Sequence, residues 1–209
     1  MRKTLAILAI AVAAPLAAQS AAPQLPGVKD AARVTAGTYK TDPNHSLIKW
    51  EVNHFGFNDY FGLFGDVAGT LVLDPKNPAA AKLDVTIPVS KVVTASPGLT
   101  AHLLREGKDG GKPDFFGPSP ADARYVSQHI VVKGTNATIH GNLTLNGVTK
   151  PVTVEAQFIG AGANPMSKKQ TVGFHGMAKI KRSEFGVMAA LPVVSDEVNL
   201  DITVAFEKQ

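Results

Sequence analysis

Thr138-Ile-His-Gly-Asn-Leu-Thr-Leu145, then Asn146-Gly147, then Val152-Thr-Val-Glu-Ala-Gln-Phe158 is the stretch that decides how this chain folds. In its first run Ile139, Gly141, Leu143 and Leu145 oppose Thr138, His140, Asn142 and Thr144. In its second, Val152, Val154, Ala156 and Phe158 oppose Thr153, Glu155 and Gln157. Successive side chains of a strand point to opposite faces, so a period of two marks a strand with one buried face. Asn-Gly between two such runs is the strongest short-range hairpin signal, because both central residues of a type I′ turn take positive φ. The stretch predicts a β-hairpin.

Six further runs carry the same period. Ile48, Trp50, Val52 and His54 oppose Lys49, Glu51 and Asn53, and Val67, Gly69, Leu71 and Leu73 oppose Ala68, Thr70 and Val72. Leu83, Val85, Ile87 and Val89 alternate with Lys82, Asp84 and Thr86. Val126, Ile130 and Val132 alternate with Tyr125, Ser127 and His129, with Val131 blurring the pattern. Phe174, Gly176, Ala178 and Ile180 oppose His175, Lys179 and Lys181, and Val198, Leu200, Ile202, Val204 and Phe206 oppose Asn199, Asp201 and Thr203. The fold class is therefore all-β, with eight antiparallel strands and one short helix in a loop over Leu99 to Glu106. Strands with one apolar face must close or sandwich to bury it. Eight is the number at which a closed barrel is either just filled or holds one small ligand. Gly69, Gly141, Ala156, Gly176 and Ala178 on the apolar face either leave room inside or relieve bends at barrel corners.

Before the strands, Arg2 and Lys3 precede an apolar run from Leu5 to Ala14, the pattern of an export leader. Small residues place the cleavage between Ala18 and Pro23, so residues 1–22 are expected to be a signal peptide and the protein periplasmic. Residues 23–37, rich in Ala and Pro, are expected to form a flexible segment ahead of a barrel domain over 38–209. The chain has 21 basic and 17 acidic residues. Without Arg2 and Lys3 the net charge is +2, too weak and too spread for nucleic acid. No apolar run after residue 22 approaches the ~20 residues of a membrane-spanning helix. The absence of Cys removes disulfides, thiolate metal sites and cysteine nucleophiles.

Several blocks, in order, resemble the YceI-like family. They are Tyr39-Lys-Thr-Asp-Pro-Asn-His-Ser46, Ile48-Lys-Trp-Glu-Val-Asn-His54 and Phe61-Gly-Leu-Phe64. Then come Gly69 with Asp74-Pro75, His102-Leu103, Asp114-Phe-Phe116 and Ala123-Arg-Tyr-Val-Ser127. Gly141-Asn-Leu-Thr-Leu-Asn-Gly-Val-Thr-Lys-Pro151 and Arg182-Ser-Glu-Phe-Gly186 complete the set. The resemblance covers about residues 38 to 207. It implies a lipocalin-like barrel whose interior holds a polyisoprenoid or another long-chain amphiphilic lipid, with no enzyme activity, cofactor or metal. Two departures stand out: Leu99-Thr100 where the family usually has Arg-Asp, and a long Gly- and Lys-rich segment over Leu104 to Pro113, which leaves ligand access open.

The expected function is lipid binding for transport, storage or sequestration. The candidate tail contacts are Ile48, Trp50, Val52, Leu71, Phe174 and Val204, with Phe64, Phe115 and Phe116 as further aromatic contacts. His54 or Arg182 would meet a polar head. Each has a plainer reading: a backbone carbonyl for His54, a salt bridge to Glu184 or Asp196 for Arg182, and a plug at a barrel end for Phe115 and Phe116. The alternative function is a filled barrel acting structurally or in stress response through protein partners. The chain could act alone or as a homodimer.

Other chemistries fit less well. Histidines 45, 54, 102, 129, 140 and 175 show no H-x-H or H-x-x-x-H spacing, so a metal would need ligands from different strands. Ser46 follows His45, but neighbours on a strand face opposite ways, and no G-x-S-x-G elbow is present. An outer-membrane barrel would either bury Lys49, Lys82 and Lys179 in lipid at ~2–4 kcal/mol each near the midplane, or enclose a charged lumen. One Trp and three Tyr are too few for its aromatic girdles.

Overall fold

The computed structural model describes residues 24–209, so the expected leader at 1–22 lies outside the described residues. The strands in chain order are β1 (Gly37–Thr41), β2 (Leu47–His54), β3 (Asn58–Phe64), β4 (Ala68–Leu73), β5 (Lys82–Ile87), β6 (Val92–Val93), β7 (Ala123–Lys133), β8 (Asn136–Leu145), β9 (Val148–Ala163), β10 (Gln170–Lys181) and β11 (Glu197–Lys208). The hairpin read from the sequence is β8–β9, and Asn146 (φ 51°) and Gly147 (φ 76°) both take the positive angles its turn needs. The helix, α1 (Pro97–Leu104), starts two residues earlier than its apolar spacing suggested. Pro97 occupies its first turn, and Ser96 Oγ caps it by accepting from Leu99 N–H at 3.3 Å.

Eight strands close into a barrel in the order β1-β4-β5-β7-β8-β9-β10-β11, with β1 returning to pair β11. The remaining three branch from it: β2 pairs the first half of β11, β3 pairs β2, and the two-residue β6 pairs β3. β1 and β2 are in effect one strand broken at a corner, and the motif Asp42-Pro-Asn-His-Ser46 builds that corner. The Asp42 carboxylate caps the Pro43–His45 turn through Asn44 N–H and also meets His45 Nδ1 at 2.6 Å. Ser46 is fully buried, and its hydroxyl accepts from Ala205 N–H on β11 at 3.3 Å. His45 thus pairs with the Asp42 carboxylate and Ser46 with the β11 backbone, and no hydrogen bond joins the two side chains.

Strands β1, β3 and β6 escaped the sequence reading. β1 has one inward side chain, the buried Tyr39, and β6 is too short to show a period. β3 presents Gly62 where an apolar residue would continue the pattern. Gly62 faces Trp50 across the ladder, and a Cβ there would sit 2.5 Å from the indole. The ring fills the space that the glycine leaves.

The blurred alternation in β7 also has a physical cause. A register shift between Ser127 and His129 adds one residue to this strand, and one extra residue reverses every later side chain. Tyr125, expected to face outward with Ser127, therefore points inward with Ile130 and Val132, while Val126 turns to the outer side.

Residues 24–36, expected to be flexible, are docked. Val28 and Ala161 exchange backbone hydrogen bonds of 3.1 and 2.9 Å, and Gln170 Nε2 donates to Arg33 O at 2.7 Å. The reason lies in β9, which outruns β8: their ladder ends at Asn136↔Gln157, leaving residues 158–163 an open edge. Such an edge invites pairing. Gly162 permits it, since a Cβ there would lie 1.9 Å from Pro26 O.

Two buried clusters form. One, around Val67, Ile87, Val89, Ala123, Tyr125 and Phe185, lies toward the end of the barrel with the β8–β9 turn. The other, around Val34, Tyr39, Phe158, Val172 and Phe206, lies toward the opposite end.

Candidate functional site

Between the two clusters is a cavity of about 360 Å³. Its wall is the inward face of the alternating runs: Ile48 from β2, Leu71 from β4, Leu83 and Val85 from β5, Ile130 from β7, Val154 and Ala156 from β9, Phe174 and Gly176 from β10, and Ile202 and Val204 from β11. Ala156, Gly176 and Ile202 stand side by side across three strands. Two small residues abreast keep side-chain bulk out of the wall there, and a Cβ at Gly176 would already meet Val154 Cγ1 at 3.2 Å. Gly69 and Gly141, expected to contribute room, do not. A Cβ at Gly141 would meet the Tyr125 ring at 2.5 Å, and one at Gly69 would meet Asp84 O at the same distance. Those glycines admit neighbours and leave no space.

Among the described residues no Asp, Glu, Lys or Arg contributes to the wall. One polar group of the lining is the Tyr125 hydroxyl, which donates to Ile139 O at 2.9 Å and Val152 O at 3.1 Å. Burial pushes its pKa up to about 12, so it remains a neutral donor. The remaining polar lining includes Thr135 and Asn136 at the β7–β8 turn. Pro75, Pro78 and Ala81 of the β4–β5 connection and Ala31 and Val34 of the docked N-terminal segment border the same end. The arrangement suits an apolar molecule and offers no charge to activate a nucleophile or hold a cation.

The candidate residues divide. Ile48, Leu71, Phe174 and Val204 are in the wall. Phe174 packs edge-on against Phe158 and Phe206, with centroids 5.9 and 6.3 Å away. Trp50, Val52, His54, Phe64, Phe115, Phe116 and Arg182 are not in that wall. Trp50 shares the inward face with Ile48 but lies beyond it along β2, next to Tyr60 at 6.4 Å, and among the described residues its buried Nε1 has no hydrogen-bond partner. Val52 pairs Tyr60 farther along β2, and His54 sits at the strand end, bridged to Val194 and edge-on to Phe55. Phe64 and Phe116 meet edge to face at 6.1 Å against the first cluster. Phe115 meets His102 edge to face at 5.3 Å, and the His102 Nε2 meets Asp114 at 2.9 Å. Arg105 Nη2 joins the same carboxylate at 2.7 Å, so Asp114 ties together the ends of the 104–113 segment.

Arg182 meets neither an open cavity nor Glu184 or Asp196 as a salt-bridge partner. It is 6% exposed, and its guanidinium donates to Ser195 O, Val187 O, Ala189 O and Val194 O at 2.8–3.0 Å. Asp196 accepts instead from Ser183 N–H and Oγ at 2.8 and 2.7 Å. Burial lowers the Arg182 pKa and the nearby Asp196 charge opposes that shift. The motif Arg182-Ser-Glu-Phe-Gly186 is a clamp on the loop that closes this end of the barrel.

Sequence reasoning missed Tyr125, Val34 and the turn at Gly134–Asn136. Tyr125 was hidden by the bulge, whose only trace is the apolar Val131 out of phase. For Val34 no local signal exists, since its burial depends on the docking at β9.

A closed eight-stranded antiparallel barrel around a predominantly apolar cavity defines a lipocalin-like binding architecture. The YceI-like domain family matches residues 39–206, and the chain belongs to that family. Protein YceI of Escherichia coli O157:H7 is 37% identical over 177 residues, which is 83% of this chain and 88% of that protein. The crystal structure of the Campylobacter jejuni YceI protein superposes with a TM-score of 0.62 at 27% identity, covering 75% of this chain and 90% of that one. A polyisoprenoid binding domain from Saccharophagus degradans shares the fold at 14% identity, with a TM-score of 0.55 over 82% of this chain and 98% of that one.

Proposed function

We propose that this protein is exported to the periplasm and carries, stores or sequesters an amphiphilic lipid, a polyisoprenoid or a fatty-acid-like chain, with the tail in the barrel cavity and no catalytic step. One observation carries the reading: a cavity of about 360 Å³ to whose wall, among the described residues, no Asp, Glu, Lys or Arg contributes. An apolar void without an occupant forfeits dispersion contacts along its whole wall, and a hydrocarbon tail restores them. Transfer of the tail from water adds roughly 25 cal/mol per Å² of apolar surface, less the ordering costs. The relation to a domain described as polyisoprenoid-binding supports an isoprenoid tail. A filled barrel working only through protein partners would have no use for a cavity of this size.

The test is native mass spectrometry of protein isolated from the periplasmic fraction, followed by organic extraction. A lipid adduct, a mature N-terminus between residues 18 and 23, and a melting temperature that drops on delipidation and recovers with added lipid are expected, since a ligand selective for the folded state must stabilise it. Absence of extractable lipid together with no thermal shift from any long-chain isoprenoid or fatty acid would overturn the reading. Trp50 emission is a poor readout, because the indole lies past the cavity wall.

A further inference from the structure

The barrel wall is not sealed along its length. β5 and β7 pair only from Asp84↔Val126 to Ile87↔Ala123, yet β7 runs on to Lys133. Beyond Val126 no strand among the described residues borders that side of β7, and Leu83 N–H on β5 bonds instead to Ser127 Oγ at 2.9 Å. The bulge at Ser127–His129 lies where the strands part, the position at which bulges commonly re-aim side chains beside a site. The Pro78–Ala80 turn lies over the gap against β7.

Along this seam runs an outer groove whose polar side chains include Thr70, Lys82, Asp84, Gln128 and His129. Ala81, Leu83 and Ile130 belong both to the groove and to the cavity wall, so the two spaces share a thin apolar partition. Their chemistries differ sharply. The cavity has no charge, whereas the groove leans positive. Asp84 is neutralised by a two-point pairing with Arg124, with Nε to Oδ1 at 2.8 Å. Among the described residues Lys82 forms no ion pair. The exposed His129 ring stacks on His140 at 6.1 Å, so it lies against a second imidazole and no carboxylate.

We propose that the ligand's polar end leaves the barrel through the β5–β7 seam and that this end is a phosphate or carboxylate anion received by Lys82, Gln128 and His129. The proposal rests on the lipid-binding reading and deepens it by placing the head group and stating its charge. An amphiphile with its tail among Leu83, Val85 and Ile130 needs to displace only the shared partition to present its head to the groove. Arg182, a buried cation toward the end with the β8–β9 turn, already donates to four carbonyls.

The experiment uses the full-length protein with a polyprenyl phosphate that carries a diazirine on the isoprene unit next to the phosphate. Irradiation and peptide mapping are expected to place the adducts in residues 79–84 and 126–130. Adducts at 31–34 and 134–136, or at 182–195, would overturn the proposal. In parallel, Lys82→Gln is expected to weaken polyprenyl phosphate binding about twofold to fivefold, the scale of an exposed ion pair. Neutral polyprenol binding should be unchanged, and inorganic phosphate alone should not compete. An equal effect on both lipids, or no effect on either, sinks the proposal while leaving lipid binding intact. Competition by inorganic phosphate would mark an independent ion site and overturn it too. If the wild-type protein binds neither lipid, the lipid-binding reading fails and takes this one with it.

Discussion

The two ends of this barrel solve opposite problems. At the end with the β8–β9 turn, Arg182 ties down residues 187–195 through four carbonyls, Phe185 is 1% exposed, and Asn146 Nδ2 donates to Phe185 O at 3.1 Å. Aromatic rings fit against glycines: Trp50 over Gly62, Tyr125 over Gly141. Toward the other end the same inward faces enclose a hollow beside Ala156 and Gly176, bordered by a docked N-terminal segment and two connections. One end is filled by close fit and held by a buried guanidinium, while at the other the polar bonds lie at the rim and the interior wall is predominantly apolar. The contrast teaches that a glycine on an apolar face is no guide to a cavity. What matters is whether an aromatic neighbour reaches into the space.

The largest expected effect falls on the closed end. Arg182→Met should destabilise the protein by ~3–5 kcal/mol, because several buried carbonyls lose their donor together. Arg182→Lys should recover only part of that loss, since an ammonium has three donors and no planar fork. Denaturant unfolding measures both. A loss under ~1 kcal/mol for Arg182→Met would break the contrast, because that is the scale of an ordinary surface change. Next in size, Gly141→Ala should cost ~1–3 kcal/mol by forcing the Tyr125 ring from its bonds to Ile139 O and Val152 O. Thermal melts of the variant beside Gly141→Ala with Tyr125→Leu would show partial recovery if the clash is with that ring.

On the hollow side, Ala156→Leu should leave stability within ~1 kcal/mol of the parent, since the added methyl groups enter open space. The same change should abolish lipid capture, read by native mass spectrometry. A variant that loses stability like Gly141→Ala would show that the hollow is already filled by its own wall.

The smallest effect is electrostatic. Asp84 is held below the ordinary carboxylate range chiefly by its hydrogen bond from Arg124, Asp114 by Arg105 and then His102, and Asp196 by the Ser183 hydroxyl. A carboxyl with a lower pKa folded than unfolded binds fewer protons in the native state, so its stabilisation is complete above about pH 4–5 and fades as pH falls through the folded value. The melting temperature should be flat near neutrality on this account and fall in acid. Asp196→Asn should make the acid fall shallower, and an unchanged slope would show that Ser183 does not stabilise the ionised carboxylate.

The sequence by itself determined the alternating strands, the Asn146-Gly147 turn and the inward faces of β4, β5, β8, β9, β10 and β11. Each of these depends only on the local rule that residues two apart share a face. The family resemblance added the closed, lipocalin-like arrangement and the expectation of a lipid. Tertiary structure alone decided which inward residues border empty space. A single bulge moved Tyr125 from the outer face to the inner one, and a glycine opposite Trp50 set that ring over β3 and away from the cavity. Arg182 found carbonyls 5 to 13 residues onward, brought back to it by the loop. Val34 became buried because β9 outruns its neighbour. A period of two says which way a side chain points; how far it reaches, and what meets it there, depends on strands that are distant in the chain.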